Sequence, residues 1–290
     1  MQAGQPSRTA LAAATHRAAH QVLESGRIFT DPLALRILGQ DAETVAREAL
    51  ESPSRRPMRL FIAARSRFAE DSLAAAYAGG VRQVVILGAG LDTYAYRRAP
   101  ESAGHNGVRV FEVDHPATQA WKRARLAEAE IPVPVNLTFA PVDFERQTLD
   151  AGLKAAGFDP AQQSFFTWLG VVPYLTEEAI WLTLGFVAGL PGGAHVVFDY
   201  SDPPDSFSPE ARLAYDLRSS RVKAVGERWV SHFEPAALHA KLTELGFSEI
   251  EELGPSQIRA RYFPGRSGSD KGGHILRAST VSQPGANRSI

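Results

Sequence analysis

The feature that most constrains the fold is a regular alternation of short apolar runs with helix-like segments between residues 81 and 200. Each run holds four to seven residues, mostly Val, Ile, Leu and Phe, which suits one strand buried on both faces. The runs cover residues 84–87, 108–113, 137–142, 164–169 and 194–200. Strands separated by helices predict a mostly parallel sheet with helices on both of its faces.

Two further strands are predicted near the end of the chain, at residues 247–253 and 274–280. No helix-like segment is apparent between them, so one of the two is expected to run antiparallel to the rest. Residues 1–80 contain helix-like segments without strands, and we interpret them as an N-terminal helical cap. The predicted fold is therefore α/β, with a doubly wound, mostly parallel seven-stranded sheet over residues 81–280. Residues 281–290 are expected to be disordered.

Composition disfavours several classes of function. The 31 Lys and Arg side chains nearly balance the 32 Asp and Glu side chains, so no excess of charge indicates binding to nucleic acid or to an anionic membrane. There is no cysteine, which removes disulfides and Cys-based zinc sites and fits a reducing cytoplasm. We predict a cytoplasmic protein without a metal, a nucleic-acid partner or a membrane partner.

No segment predicts export or membrane insertion. The N-terminal segment lacks the apolar core of a signal peptide. The stretch 179–198 is 20 residues long and carries no formal charge, but Pro191, Gly192 and Gly193 divide it. A helix followed by a strand is therefore a better interpretation than a membrane span.

The first predicted strand ends in VVILGAGLDT, which places Gly88, Ala89 and Gly90 directly after a buried run. Ligands of open parallel sheets bind beyond the carboxyl ends of the strands, and glycine lets the backbone turn tightly and approach a ligand. The next strand ends at Asp114, 24 residues after Gly90, where an acidic side chain commonly binds ribose hydroxyls. The structural alternatives are an ordinary strand-to-helix turn for the glycines and a helix N-cap for Asp114.

This loop departs from the dinucleotide-binding pattern. Thr93 occupies the position of the third glycine of G-x-G-x-x-G, and Asp92 adds a negative charge. Both features disfavour a pyrophosphate. S-adenosylmethionine suits the loop better, because it carries a ribose, an adenine, an ammonium and a carboxylate but no phosphate.

Several stretches together carry a resemblance to a known family. They are DPLA at 31–34, AARSRF at 63–68, VVILGAGLDTYAYR at 84–97, FEVDHPATQAWK at 111–122, VDF at 142–144, WLGVVPYLT at 168–176 and VFDY at 197–200. In order and spacing the chain resembles the bacterial branch of the leucine carboxyl methyltransferase-like family of class I S-adenosylmethionine-dependent methyltransferases. The resemblance runs over roughly residues 10–280 and implies a Rossmann-like methyltransferase domain.

The resemblance implies cofactor contacts residue by residue. Arg65 would bind the methionyl carboxylate, with Arg67 as the neighbouring alternative, and arginine is suited to bidentate carboxylate binding. Gly88, Ala89 and Gly90 would line the methionine portion.

The remaining implied contacts concern the adenosyl portion and the carboxylate. Asp114 would hold the ribose hydroxyls. Asp143 would accept a hydrogen bond from the adenine amino group, and Phe144 would lie beside the ring. Arg17 or His16 would also reach the cofactor carboxylate.

Two positions depart from the family pattern. Many members carry Arg where this chain has Tyr94, and some carry Glu where it has Leu169. The second departure removes a polar cofactor contact. It also puts in doubt the transfer of the protein substrate of the leucine-carboxyl branch to this chain.

On the acceptor side, methyl transfer mainly requires that the nucleophile is aligned and that water is excluded. A carboxylate acceptor needs no base, whereas a hydroxyl would benefit from one, and Tyr174 and His232 are the candidate catalytic residues. The cap and an insertion near 202–230, with a polar helix over 210–224, are expected to shape the acceptor site. Candidate wall residues are Phe29, Phe61, Phe207, Tyr215 and Trp229.

The leading hypothesis is an S-adenosylmethionine-dependent O-methyltransferase that acts on a carboxylate or hydroxyl of a small molecule. Methylation of a protein C-terminal carboxylate is the alternative within the same fold. An NAD(P)-dependent oxidoreductase is an alternative of another class, and the missing third glycine argues against it. A non-catalytic binding protein that kept the fold is the last alternative.

Overall fold

A computed structural model of the chain describes residues 7–97, 108–144, 146–224 and 226–281. Seven strands form one sheet: β1 (Gln83–Leu87), β2 (Arg109–Asp114), β3 (Leu137–Pro141), β4 (Ser164–Trp168), β5 (Ala194–Ser201), β6 (Glu249–Leu253) and β7 (Gly273–Ser279). The α-helices of the described residues are α1 (Arg8–Leu23), α2 (Ala34–Leu38), α3 (Ala42–Leu50), α4 (Arg56–Ala78), α5 (Tyr94–Arg97), α6 (Pro116–Glu128), α7 (Leu149–Ala155), α8 (Glu177–Ala188), α9 (Pro209–Ala224), α10 (Pro235–Glu244) and α11 (Pro255–Tyr262).

The order of the strands across the sheet is β3-β2-β1-β4-β5-β7-β6. Strands β1 to β5 pair in parallel, and β7 pairs antiparallel with both β5 and β6. Strands β2 and β3 follow β1 on one side of the sheet, and β4 and β5 lie on its other side, so the direction of the strand order reverses at β1. In an open α/β sheet this switch point forms a crevice that binds ligands.

The fold prediction is confirmed, and each predicted strand is found with its ends shifted by at most two residues. The reason is visible in β1, which is buried at all of its positions. Val84 and Ile86 pack in one apolar core with helices α1 to α4. Val85 and Leu87 pack in a second core, on the other face, with α8 and α10. Side chains alternate between the two faces of a strand, so a strand covered on both faces must be apolar throughout.

One expectation about the end of the chain is wrong. Helix α11 lies between β6 and β7, where no helix was predicted. It begins at Pro255, a residue favoured in the first turn of a helix. Ile258 is the one buried residue of this helix, so the apolar periodicity that identifies a helix in a sequence is missing. The expected antiparallel strand is β7.

Strand β7 brings His274 into a buried group of ionisable side chains. His274 Nε2 lies 2.9 Å from Asp202 Oδ2, and its Nδ1 contacts Glu252. Tyr200 OH donates to Glu252 Oε1 at 2.6 Å, and Lys271 Nζ donates to Asp202 Oδ1 at 3.1 Å. Burial by itself lowers the pKa of His274, but the hydrogen bonds and charges of Glu252 and Asp202 raise it overall. The imidazole therefore connects the ends of β5, β6 and β7, and its surroundings favour the protonated form.

Replacing His274 by glutamine is expected to lower the free energy of unfolding by about 1–3 kcal/mol near pH 6, because hydrogen bonds to charged groups are lost. A raised folded-state pKa stabilises the protein fully below the unfolded-state pKa of roughly 6.5, and this contribution is lost as the pH rises through the folded-state pKa. The difference in unfolding free energy between the wild type and His274→Gln should therefore become smaller between about pH 6 and about pH 9. Urea unfolding at both pH values measures it.

His195 supplies the matched control for this experiment. Its side chain is buried against Phe165, and burial lowers its pKa. A lowered pKa favours the neutral ring, so the deficit of His195→Gln should not shrink as the pH rises. A deficit of His274→Gln that is equal at both pH values would contradict the proposed charge on His274.

None of the helices in the described ranges combines the length and the apolar character that a bilayer span needs. The division into a cap over residues 1–80 and a sheet domain over residues 81–280 stays a prediction. Of the tail predicted to be disordered, all residues except Val281 lie outside the described residues.

Candidate active site

The glycine turn after β1 forms the floor of the candidate site. Gly88 and Gly90 have φ angles of 64° and 42°, in the left-handed region that disfavours residues with a Cβ atom. A Cβ atom on Gly88 would lie 2.4 Å from Val171 Cγ2, and one on Gly90 would lie 2.8 Å from Ala10 Cβ. The backbone of the turn therefore packs directly against the loop after β4 and against α1.

Asp114 ends β2 beside this turn. Its Oδ2 accepts a hydrogen bond from the Gly90 amide at 2.6 Å, and its Oδ1 accepts one from the His115 amide at 2.7 Å. Burial raises the pKa of Asp114, and the two amide hydrogen bonds only partly oppose this rise. The N-cap of α6 is His115, whose side chain accepts from the Ala117 amide. Asp114 thus fixes the glycine turn. The N-cap role that was the structural alternative for Asp114 belongs to His115 instead.

A cavity of about 450 Å³ opens beyond the carboxyl ends of β1, β2 and β4. We refer to it as the first cavity. Five of the predicted cofactor residues line it together, namely Arg65, Gly88, Ala89, Gly90 and Asp114. Residues of α1 and α4 form part of its wall. The structure therefore brings most of the predicted cofactor residues to one crevice at the switch point of the sheet.

Arg65 projects from α4 into this crevice and is 8% exposed. Its Nη1 donates to Asp199 Oδ2 at 2.9 Å, and Asp199 Oδ1 accepts from the Gly170 amide at 2.6 Å. Its Nε is buried without a hydrogen-bond partner in the described part of the chain. Arg67, the alternative, pairs with Asp71 on the exposed side of α4 at 2.7 Å. The geometry favours Arg65 over Arg67 as the cofactor residue.

Arg17, the further candidate on α1, lines the first cavity. Its Nη2 donates to the Leu91 carbonyl at 2.5 Å and its Nε donates to Asp31 Oδ2 at 3.2 Å. His16 does not line the cavity. Burial and the surrounding arginines lower the pKa of His16 to about 4, so its ring is neutral.

Asp143 and Phe144 lie just beyond β3, whose last residue Pro141 pairs with Asp114 in the sheet register. Neither residue lines the first cavity. Phe144 is 60% exposed, and Asp143 Oδ2 lies 3.5 Å from Arg146 Nε. Their predicted contacts with adenine stay predictions.

A second cavity, of about 230 Å³, adjoins the first. Arg65, Gly170 and Tyr174 line both cavities, so these three residues form a shared wall. Both candidate catalytic residues, Tyr174 and His232, line the second cavity. The structure therefore places the candidate acceptor side directly beside the candidate cofactor side.

The two candidate catalytic residues have different proton affinities. Burial lowers the pKa of His232, and its Nε2 lies 2.7 Å from Tyr215 OH. Burial also raises the pKa of Tyr174. A neutral imidazole can accept a proton, and a protonated phenol can donate a hydrogen bond. Chemically, the second cavity can therefore hold an oxygen nucleophile and take up its proton.

The predicted aromatic wall is found in part. Phe61, Tyr215 and Trp229 line the second cavity. Phe207 does not line it, but its ring packs against that of Tyr215 with the centroids 5.5 Å apart. Phe29 lies elsewhere, under the guanidinium of Arg97 at 5.0 Å. Tyr215 belongs to α9, so the polar helix predicted over 210–224 does reach the acceptor side.

Replacing Asp114 by alanine is expected to weaken cofactor binding by about 1–3 kcal/mol, because a buried polar partner is lost. Isothermal titration with S-adenosylhomocysteine measures the change. Asp92 is a matched control, since it also lines the first cavity but its carboxylate accepts from the Tyr94 amide. Asp92→Ala should weaken binding less. Unchanged affinity in a folded Asp114→Ala protein would restrict Asp114 to holding the glycine turn.

The charges of the first cavity fit S-adenosylmethionine. Three acidic residues, Asp92, Asp114 and Glu227, line it together with the arginines Arg17 and Arg65. Acidic side chains suit an ammonium and ribose hydroxyls, and the free Nε of Arg65 suits a carboxylate. Three carboxylates would repel a pyrophosphate.

Sequence comparisons identify the family of the chain. A family model described as leucine carboxyl methyltransferase matches residues 10–188. The chain is 35% identical over 204 residues to the "Putative S-adenosyl-L-methionine-dependent methyltransferase YktD" of Bacillus subtilis, covering 70% of this chain and 66% of that protein. It is 31% identical over 261 residues to a "Putative S-adenosyl-L-methionine-dependent methyltransferase" of Mycobacterium ulcerans, covering 85% of this chain and 80% of that protein.

Structural comparison agrees with the fold. A crystal structure described as a "putative methyltransferase" from Thermobifida fusca matches with a TM-score of 0.51 and 15% sequence identity, and the match covers 96% of each chain. The family resemblance predicted from the sequence is confirmed by the family model, which matches more than half of the chain. The chain belongs to the leucine carboxyl methyltransferase family of S-adenosylmethionine-dependent enzymes.

Proposed function

We propose that this chain transfers the methyl group of S-adenosylmethionine to a carboxylate or hydroxyl oxygen of a small molecule. The observation that carries the proposal is the pair of adjoining cavities. The first has charges that fit the cofactor, and the second shares Arg65, Gly170 and Tyr174 with it. A methyl donor in one cavity and an acceptor in the other would meet at this shared wall.

The size of the second cavity supports a small acceptor. Its volume of about 230 Å³ lies below the ~300–1,000 Å³ of sites for drug-sized ligands. Leu169, which lines the first cavity, stands where some relatives carry Glu, and this departure puts in doubt the transfer of the leucine-carboxyl branch's protein substrate to this chain. Both observations lead us to rank a small molecule above a protein C-terminus.

The residues of this chain would bind and orient the reactants and exclude water. Bound S-adenosylmethionine supplies a methyl group that is already activated by the positive charge on sulfur. We assign its carboxylate to Arg65, its ribose hydroxyls to Asp114, and its adenine to Asp143 and Phe144. These assignments are part of the proposal.

The two acceptor types differ in their need for a base. A hydroxyl must lose its proton, and the neutral ring of His232 is placed in the second cavity to accept it. Tyr174, held in its protonated form by a raised pKa, can donate a hydrogen bond at the shared wall. A carboxylate acceptor needs no proton transfer. We place the reaction in the cytoplasm, because a chain without cysteine suits a reducing compartment.

The proposal is tested with purified protein, S-adenosylmethionine labelled in its methyl group, and a bacterial extract divided by size into small molecules and proteins. Label is expected in the small-molecule fraction. Alkaline treatment then releases labelled methanol from methyl esters but not from methyl ethers, which separates carboxylate from hydroxyl acceptors. The Asp114→Ala protein, at a cofactor concentration below the wild-type Kd, gives the background.

Label found only in the protein fraction would replace the proposal by protein carboxyl methylation. Tighter binding of NAD than of S-adenosylhomocysteine would replace it by the oxidoreductase alternative. S-adenosylhomocysteine binding without any transfer to either fraction would leave the non-catalytic binding protein as the better hypothesis.

A further inference from the structure

Helix α9 places a cation on the wall of the second cavity. Tyr215 and Arg218, three residues apart, share one face of the helix, and both line this cavity. Arg218 has no ion pair or hydrogen bond in the described ranges. By contrast, Arg212 of the same helix pairs with Asp205 at 2.9 Å and with Asp216 at 3.1 Å. The guanidinium of Arg218 therefore has its donors available.

The second cavity carries an excess of positive charge. Its carboxylate, Asp199, is already bound to Arg65 and to the Gly170 amide. Burial, and next the guanidinium of Arg221, lower the pKa of Arg218, and no carboxylate opposes them. An uncompensated and partly buried guanidinium is costly to a protein unless it gains a partner.

The position of Arg218 suits an anchoring group on the acceptor. Arg218 lines the second cavity but not the first, so it does not belong to the wall that the two cavities share. Met58, Phe61 and Trp229 supply apolar and aromatic surface in the same cavity. A ligand that fits has an apolar body, a negative charge at one end and a nucleophilic oxygen at the other.

We propose that Arg218 binds an oxyanion of the methyl acceptor, so that the acceptor is a small apolar or aromatic molecule with a carboxylate or phosphate besides the oxygen that is methylated. This inference rests on the proposed function. The planar guanidinium of arginine binds both oxyanions through two parallel hydrogen bonds. In this arrangement Arg218 selects the acceptor, Tyr174 contacts the reacting oxygen at the shared wall, and His232 lines the same cavity as Arg218.

Isothermal titration tests the proposal on the protein saturated with S-adenosylhomocysteine. The probes are benzoate, phenyl phosphate and the neutral isostere benzamide. At least one anion is expected to bind the wild type about tenfold or more tightly than benzamide, as a charge-assisted hydrogen bond predicts. Arg218→Met should abolish this preference, and Arg218→Lys should keep part of it. The anion that binds more tightly identifies the oxyanion of the acceptor.

Arg221→Met is the matched control, because it removes the same charge one turn along α9. Arg221 does not line the second cavity. The preference of this variant for the anion should stay within about twofold of the wild type, as expected when a screened surface charge is lost. All variants should bind S-adenosylhomocysteine with wild-type affinity, which shows that they are folded.

A preference that survives in Arg218→Met, or no binding of either anion to the wild type, would overturn the inference. If methyl transfer to small molecules succeeds while this preference is absent, only the inference fails. If the preference is present but no small molecule is methylated, the proposed function fails and the anion site stands.

Discussion

Replacing Asp199 by alanine is expected to lower the free energy of unfolding by about 3–5 kcal/mol and to weaken S-adenosylhomocysteine binding about tenfold or more. The Asp199 and Arg65 side chains are 5% and 10% exposed and lie 2.9 Å apart. Removal of the carboxylate leaves the guanidinium buried without a counter-ion and the Gly170 amide without its acceptor. Chemical denaturation and isothermal titration measure the two effects.

Two variants separate structure from binding in this prediction. Asp199→Asn keeps an oxygen for the Gly170 amide and should be intermediate in stability. In the double variant Arg65→Met/Asp199→Leu, both charges are replaced by apolar side chains, which commonly restores stability at a buried pair. Stability should return in the double variant while binding stays weak. A loss below about 1 kcal/mol for Asp199→Ala would mean that the pair is hydrated and contributes little.

Replacing Lys122 by methionine is expected to lower the free energy of unfolding by about 3–5 kcal/mol near pH 8, because it leaves the Glu112 carboxylate buried without its partner. Lys122 Nζ lies 2.7 Å from Glu112 Oε2, and the two side chains are 1% and 0% exposed. Tyr96 OH donates to the same oxygen at 3.2 Å. The pair lies beneath the cofactor side, since Glu112 belongs to the strand that ends at Asp114.

The loss of stability caused by Lys122→Met should increase with pH. Burial raises the pKa of Glu112 to about 7, and Lys122 opposes this rise. In Lys122→Met the pKa of Glu112 should therefore be still higher. A raised carboxyl pKa destabilises the fold progressively as the pH rises from the unfolded-state to the folded-state pKa. The deficit of the variant should therefore be smaller at about pH 6 than at about pH 8.

The double variant Glu112→Gln/Lys122→Met is the control for this prediction. With no carboxylate to titrate, its stability should vary less with pH and should exceed that of Lys122→Met near pH 8. Denaturant unfolding at both pH values gives the comparison. An equal deficit of Lys122→Met at both pH values would contradict the assigned charge on Glu112.

Sequence patterns predicted the sheet and the floor of the site because both depend on local chemistry. Strands covered on both faces require continuous apolar runs, and the backbone at Gly88 and Gly90 requires residues without a Cβ atom. The helix α11 was missed because its only buried side chain is Ile258, so it has too little periodicity to be recognised.

Long-range contacts could not be predicted in the same way. The sequence offers Arg65 and, as its neighbouring alternative, Arg67, and only the packing of α4 turns Arg65 inward and leaves Arg67 paired with Asp71 on the surface. Asp199 belongs to the VFDY stretch at 197–200, but its partner Arg65 is 134 residues away in the chain. No local pattern identifies such a pair, because the sheet brings it together.

The sequence by itself determined the seven strands, the glycine turn and the family, since each depends on short stretches of neighbouring residues. Only the tertiary structure decided which side chains meet at the shared wall and that Arg218 faces the second cavity. The physical reason is that burial and charge compensation depend on neighbours distant in sequence. A polar helix such as α9 appears fully exposed until the rest of the chain is packed against one of its faces.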